Sequence, residues 1–265
     1  MPRYFIRISY KGTCYHGWQI QPNAITVQEK LNHALATLLR EPIETIGAGR
    51  TDTGVHASYF IAHFDTLQSN LDKNEHIIHK LNCILPHDIV AYSIQKVDTN
   101  ANARFDATSR TYNYFIHTNK NAYINEYSYH FKGNLNTPKI QEAIPYLLKH
   151  TDFTSFSKLH TDVKTNNCHI EKAEWLEYAP DQYVFVIKAD RFLRNMVRAI
   201  VGTLLEIGKE KVAPEGINEI ITGKNRSLAG TSAPSQGLFL AYITYPELIY
   251  ATDKNITTKF PFFYI

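Results

Sequence analysis

The sequence predicts an α+β protein. Three observations carry that reading. Short segments alternate apolar and polar residues with period two, longer segments repeat apolar residues at helical spacing, and the two kinds interleave as strand, helix, strand, strand, helix, strand. That order is the split βαβ, or ferredoxin-like, pattern, and it partly recurs in the second half of the chain.

The elements follow in order. RYFIRISY (3–10) alternates as a strand. Thr26 and Glu29 form a T-x-x-E capping box ahead of Val27, Leu31, Ala34, Leu35, Leu38 and Leu39, so a helix runs to about Arg40, before Pro42. ETIGA (44–48) leads into a glycine-rich turn and SYFIAHFDT (58–66) leads out of it as a strand. A helix is predicted over roughly 72–83, a strand over 88–97 and another over 109–118. Residues 137–150 read as a helix with Pro138 in its first turn. KAEWLEYA and QYVFVIKAD make a hairpin around Pro180-Asp181. An amphipathic helix covers about 192–207, a shorter one about 214–223, and GLFLAYITY (237–245) closes as a strand. Three segments follow from this order: an N-terminal half over 1–105, a C-terminal half over 106–250, and an aromatic tail over 251–265. The tail, ending TTKFPFFYI, is expected to pack on the body or on a neighbouring subunit.

Composition narrows the functional class. With 265 residues, 17 Tyr and 14 Phe, the chain has the apolar content for a large core. The net charge of +3 permits an anionic partner without demanding one. The three cysteines, Cys14, Cys83 and Cys168, are far apart and form no CxxC pair. This argues against a disulfide framework or a structural zinc site and favours a reducing compartment. No stretch approaches the length of a membrane span, and the amino terminus lacks a signal-peptide core. The expectation is a soluble cytoplasmic protein.

The densest chemistry lies in GAGRTDTGVHA (47–57). A dinucleotide fingerprint would need a glycine where Asp52 stands and a helix afterwards, yet a strand follows. No G-K-[ST] is present for a P-loop. A metal site is poorly supported, since His56 alone accompanies Asp52 at ligand spacing. A plain turn, with Asp52 bonding its own backbone, is the ordinary alternative. The functional reading is that glycines let backbone pass close to a ligand while one carboxylate is presented to it. Arg50 would then pair with Asp52 or with a phosphate, and an ionised carboxylate is able to attack or to take a proton. His76 and His79, three apart on the predicted 72–83 helix, lack further ligands.

GRTDTGVHA (49–57) resembles the active-site motif of the tRNA pseudouridine synthase A family. YKGTCYHGWQIQPN (10–23), RFDATSRTYNYFI (104–116), DFTSF (152–156), FLRNMVRAIVG (192–202) and APSQGLFL (233–240) resemble its further landmarks in order. The resemblance spans residues 4–246 and departs from the family at Lys11 and around 164–170.

The resemblance implies an enzyme that isomerises uridine to pseudouridine in the anticodon stem-loop of tRNA, around positions 38–40, with no cofactor and no metal. It implies two ferredoxin-like halves whose antiparallel sheets form a central mixed platform with a cleft between them, in a homodimer with tRNA across both subunits. Asp52 would be the catalytic carboxylate, Tyr112 would pack on the target base, and Arg198 would pair with the carboxylate. Arg50 would help extrude the nucleotide and Leu238 would wall the pocket. The residue pattern agrees in part. Arg110, Tyr112, Tyr114 and Ile116 share a strand face. Arg191, Arg194 and Arg198 fall on one side of the predicted helix, with Gly202 leaving room one turn after Arg198. Lys158, His160, Lys164, Arg191, Arg194, Lys224 and Arg226 are candidate phosphate contacts. The competing readings are a non-catalytic RNA-binding module and a nucleoside hydrolase. The second would want a paired carboxylate, which the motif lacks.

Overall fold

Period-two alternation becomes strand β1, Arg3–Tyr10, over the predicted residues. The structure, a computed structural model, describes residues 1–158 and 165–249. Its contacts divide the chain into two units, one holding Met1–Thr108 with the described residues from Phe239 on, the other Ser109–Leu238.

In the first unit, helix α1 (Val27–Leu39) opens where the capping box predicts. Thr26 Oγ1 accepts the Glu29 N–H at 3.3 Å, and Arg40 closes the helix in a left-handed conformation. Strand β2 is only Ile46–Gly47, and β3 runs His56–Asp65. Helix α2 (Ile77–Ile84) is shorter than the predicted 72–83. Asn70 turns left-handed and Leu71–Lys73 forms a separate 3₁₀ turn, so His76 lies at the helix N-cap rather than inside it. Strand β4 is Ile89–Val97. β1 pairs antiparallel with both β3 and β4, and β2 pairs antiparallel with β3, giving the order β4-β1-β3-β2. β1 and β2 are thus parallel with β3 between them, which is the expected split βαβ unit. The closing strand, Leu238–Thr244, pairs parallel with β3 at its start, His56 against Phe239 and Ala57 against Leu240. For that reason the residues from Phe239 group with the first unit, whereas the sequence assigned them to a half spanning 106–250.

In the second unit, β5 is Ser109–His117, β6 the short Tyr129–His130, and α3 Thr137–Leu147. A hairpin of β7 (Ile170–Ala179) and β8 (Gln182–Ala189) turns through Pro180 and a left-handed Asp181. α4 is Met196–Gly208, α5 is Gly216–Thr222, and the closing strand already placed is β9. β8 pairs antiparallel with both β5 and β7, so here too a strand is inserted between two parallel ones. α3 packs on α4, α5 and β7. Among the described residues no helix is long and apolar enough to cross a membrane. The tail over 251–265 lies outside the described residues.

One buried polar contact fixes the exit from β4. His63 on β3 is 3% exposed, and its Nδ1 accepts the Ala103 N–H at 3.1 Å. Burial, helped by the nearby charge of Arg3, lowers its pKa to about 4. An unfolded histidine titrates near 6.5, so between these values the unfolded chain binds the extra proton. Stability from this group is therefore full above about pH 6.5 and lost as pH falls toward 4, a swing of roughly 3 kcal/mol. Denaturant titrations from pH 7 to 4.5 are expected to show this slope, and His63→Gln to flatten it. An unchanged slope in the variant would contradict the assignment.

Candidate active site

The Asp52 loop is held at both ends by backbone of the segment that follows β1. The Trp18 N–H bonds the Thr51 carbonyl at 3.3 Å, and the Gly54 N–H bonds the Tyr15 carbonyl at 3.2 Å. Between these ties the chain makes a turn in which the Val55 N–H reaches the Asp52 carbonyl at 3.1 Å. Gly54 takes φ +77°, the positive value a type II turn requires at its third position. Such approaches need residues without side chains. A Cβ on Gly12 would lie 2.0 Å from the Val55 oxygen, and one on Gly17, at φ +87°, would lie 2.2 Å from the Thr51 oxygen.

Side chains complete the clamp. Tyr10 and Thr51, both buried, share a hydroxyl–hydroxyl bond of 2.9 Å. The Tyr15 hydroxyl donates to Asp88 Oδ1 at 2.5 Å, and burial together with that bond raises its pKa well above the usual tyrosine value. His56 is fully buried. Its Nδ1 accepts the Gly12 N–H at 3.0 Å, and its ring stacks on Phe239 at 4.5 Å. His56 fastens the loop to the sheet. Between a buried Thr51 and a buried Val55, Asp52 stays half-exposed and Arg50 is exposed. The sequence marks the loop itself, but not Gly12 and Gly17, whose role appears only where two remote backbones meet.

The second unit holds the other expected site residues. Tyr112 on β5 is half-buried, its ring edge-on to Phe192 at 5.1 Å. Arg198 Nε donates to the Ala233 carbonyl at 2.7 Å, and the Ala233 N–H returns a bond to the Arg198 carbonyl at 2.9 Å. The room predicted beside Gly202 is filled by backbone, since a Cβ there would lie 1.9 Å from the Thr231 oxygen. The next residue of that segment, Pro234, accepts the Tyr114 hydroxyl at 2.8 Å. Burial pushes the Tyr114 hydroxyl far up, partly opposed by the charge of Arg198, so Arg198, Pro234 and Tyr114 form one cluster. Tyr114 and the 231–234 segment hold Arg198 in place, a support that sequence spacing does not reveal. Leu238, the last residue of this unit, is 6% exposed.

The basic residues sort differently from expectation. Arg191 and Arg194 are not on the arginine helix, because Asn195 adopts φ 67° and α4 begins only at Met196. Leu193 and Phe192 keep helical spacing in sequence yet precede the helix. The Lys158 N–H bonds the Arg194 carbonyl at 3.1 Å, which sets these two exposed cations side by side along the chain. Lys224 is ion-paired with Asp152 at 2.9 Å; the Thr154 hydroxyl, and after it this ion pair, hold Asp152 below the usual carboxylate range. The Arg226 guanidinium bonds the Ala229 and Gly230 carbonyls and Ser232 Oγ, so it braces the segment that meets Arg198. His160 and Lys164 lie outside the described residues.

A family model described as tRNA pseudouridine synthase matches residues 143–246, a span containing Arg198 and Leu238. Over 257 residues the chain is 52% identical to tRNA pseudouridine synthase A of Bacteroides thetaiotaomicron, covering 96% of this chain and 95% of that one. It is 54% identical over 248 residues to the protein of that name from Bacteroides fragilis, covering 94% and 98%. The corresponding Clostridium acetobutylicum protein is 38% identical over 242 residues, covering 91% and 98%.

The clamp predicts a contrast between glycines. Gly12→Ala forces a methyl into the Val55 carbonyl and is expected to cost about 1–3 kcal/mol. Gly49, whose Cβ would meet nothing within 4 Å, is expected to accept alanine without loss. Thermal unfolding of the two variants checks this, and equal destabilisation would refute it.

Proposed function

Because the chain belongs to the tRNA pseudouridine synthase A family, it is an isomerase that converts uridine in tRNA to pseudouridine, and we propose that Asp52 is its catalytic carboxylate. The observation that supports this assignment is the clamped turn. It fixes the backbone on both sides of a half-exposed aspartate, as a group that must meet a sugar carbon requires.

The reaction breaks the N1–C1′ glycosidic bond, turns the uracil, and joins C5 to C1′. The proton on C5 leaves and N1 gains one, so the base is isomerised with no net oxidation and no group transferred elsewhere. Two routes start from the same ionised carboxylate: addition to C1′, and removal of a proton from the sugar. In either, Tyr112 offers an aromatic face to the extruded base, a contact worth about 1–3 kcal/mol. Its edge-on neighbour Phe192 limits the ring's rotation.

Arg198 serves the carboxylate, with its Nε fixed by Ala233 and its remaining N–H groups directed by that anchor. Arg50 occupies the gap left when the uridine leaves its stack, and Leu238 supplies an apolar wall. Lys158, Arg191 and Arg194 meet phosphates in this reading, and so do Lys224 and Arg226, each of which also holds a contact on the protein itself. The target lies in the anticodon stem-loop around positions 38–40, and the enzyme works in the cytoplasm as a homodimer.

The test uses tRNA carrying tritium at uridine C5. Wild-type protein is expected to release tritium, and Asp52→Asn to release none while binding tRNA as the wild type does. Release by Asp52→Asn at the wild-type rate would remove Asp52 from the chemistry, and loss of binding would make it a structural residue.

A further inference from the structure

Phe105 is the large apolar side chain that the first unit displays least explicably. It is 77% exposed; Arg104 and Thr108 near it in sequence are exposed, Asp106 is half-buried, and Ala103 and Ala107 are buried. The Arg104 guanidinium lies over the ring, 5.5 Å from its centroid.

The turn that carries this pair is fixed at every backbone donor. The Asn102 N–H bonds Asp106 Oδ2 at 2.6 Å, and the Ala103 N–H bonds His63. The Arg104 and Phe105 N–H groups both bond Asn102 Oδ1, at 2.9 and 3.2 Å. The Asp106 N–H returns to the Asn102 carbonyl at 3.0 Å. On the carbonyl side, the Tyr245 hydroxyl donates to Ala103 at 2.5 Å and Arg3 Nη1 to Ala101 at 3.0 Å. A turn so constrained loses little freedom when its tip binds something. The Asp106 carboxylate spends one oxygen, Oδ2, on the turn itself.

We propose that Arg104 and Phe105 form a stacking platform for an unpaired base of the tRNA, distinct from the uridine that is isomerised. The inference rests on the tRNA reading given above. An aromatic ring receives any base on its face, and the guanidinium adds a cation beside the phosphate chain. A single exposed ring with a guanidinium over it suits one planar ligand better than the continuous apolar core of a protein interface. Position separates the platform from the reacting uridine. Ala103 of the same turn bonds His63, and Asp52 precedes His56, so seven steps along β3 separate the two, roughly 23 Å at strand rise.

Binding of unmodified tRNA to the full-length protein tests this. Phe105→Ala is expected to weaken binding roughly five- to hundredfold, with tritium release at saturating tRNA unchanged. Phe105→Trp is expected to keep affinity, and its indole fluorescence to be quenched by tRNA. The native tryptophans, Trp18 and Trp175, are 3% and 4% exposed and leave that signal clear. Binding by Phe105→Ala within about twofold of wild type, or an indole that tRNA leaves unquenched, would overturn the proposal. Dissociation of Phe105→Ala into smaller species in sedimentation would also overturn it, by assigning the ring to a contact between copies. A wild-type protein that releases no tritium would instead overturn the tRNA reading underneath.

Discussion

Two carbonyl groups set the geometry of the Asp52 turn. The oxygens of Thr51 and Val55 lie against the α-carbons of Gly17 and Gly12, closer than any side chain permits. Much else depends on that contact. The Gly17 and Trp18 carbonyls accept the N–H groups of Val27 and Gln28, two of the donors that the start of α1 leaves open. One short segment therefore clamps the Asp52 turn, caps a helix, and places Trp18 against Phe60 with ring centroids 4.3 Å apart. The aspartate owes its position to residues some forty places earlier in the chain, not to its neighbours.

The second unit uses the same device for a different side chain. Gly202 on α4 lets the 231–233 segment pass at backbone distance, and the Thr203 hydroxyl accepts the Gly230 N–H at 2.9 Å. Held there, Ala233 exchanges hydrogen bonds with Arg198 through both its N–H and its carbonyl. Arg226 and Asn195 tie Ser232 into the same knot. A guanidinium pinned at Nε keeps its direction without a ligand, so less freedom is lost when its other N–H groups bind one.

The strands and most helices were legible because their signals are local. β1 alternates cleanly, Thr26 caps α1 as its motif says, and Pro180-Asp181 turns the β7–β8 hairpin. The errors came where one backbone dihedral outweighs a pattern. Asn195 at φ 67° delays α4 by four residues and strips Arg191 and Arg194 from the arginine face, although the apolar spacing runs straight through. Asn70 does the same ahead of α2. Tyr112 and Tyr114 share a strand face and look alike in sequence, yet one is half-buried against Phe192 and the other fully buried on Pro234. Only tertiary partners separate them. The glycine contacts are invisible for a related reason: a close approach involves two segments, and the sequence shows each alone. The catalytic roles proposed for Asp52, Tyr112 and Arg198 came from the family resemblance, not from periodicity.

The Gly17 contact is what positions Asp52. Single-turnover tritium release by Gly17→Ala, compared with its affinity for tRNA, tests that directly. A displaced turn predicts release slowed by about a hundredfold, with Kd within about threefold of wild type. A folded Gly17→Ala protein that releases tritium at the wild-type rate would show that the carboxylate finds its place without the clamp.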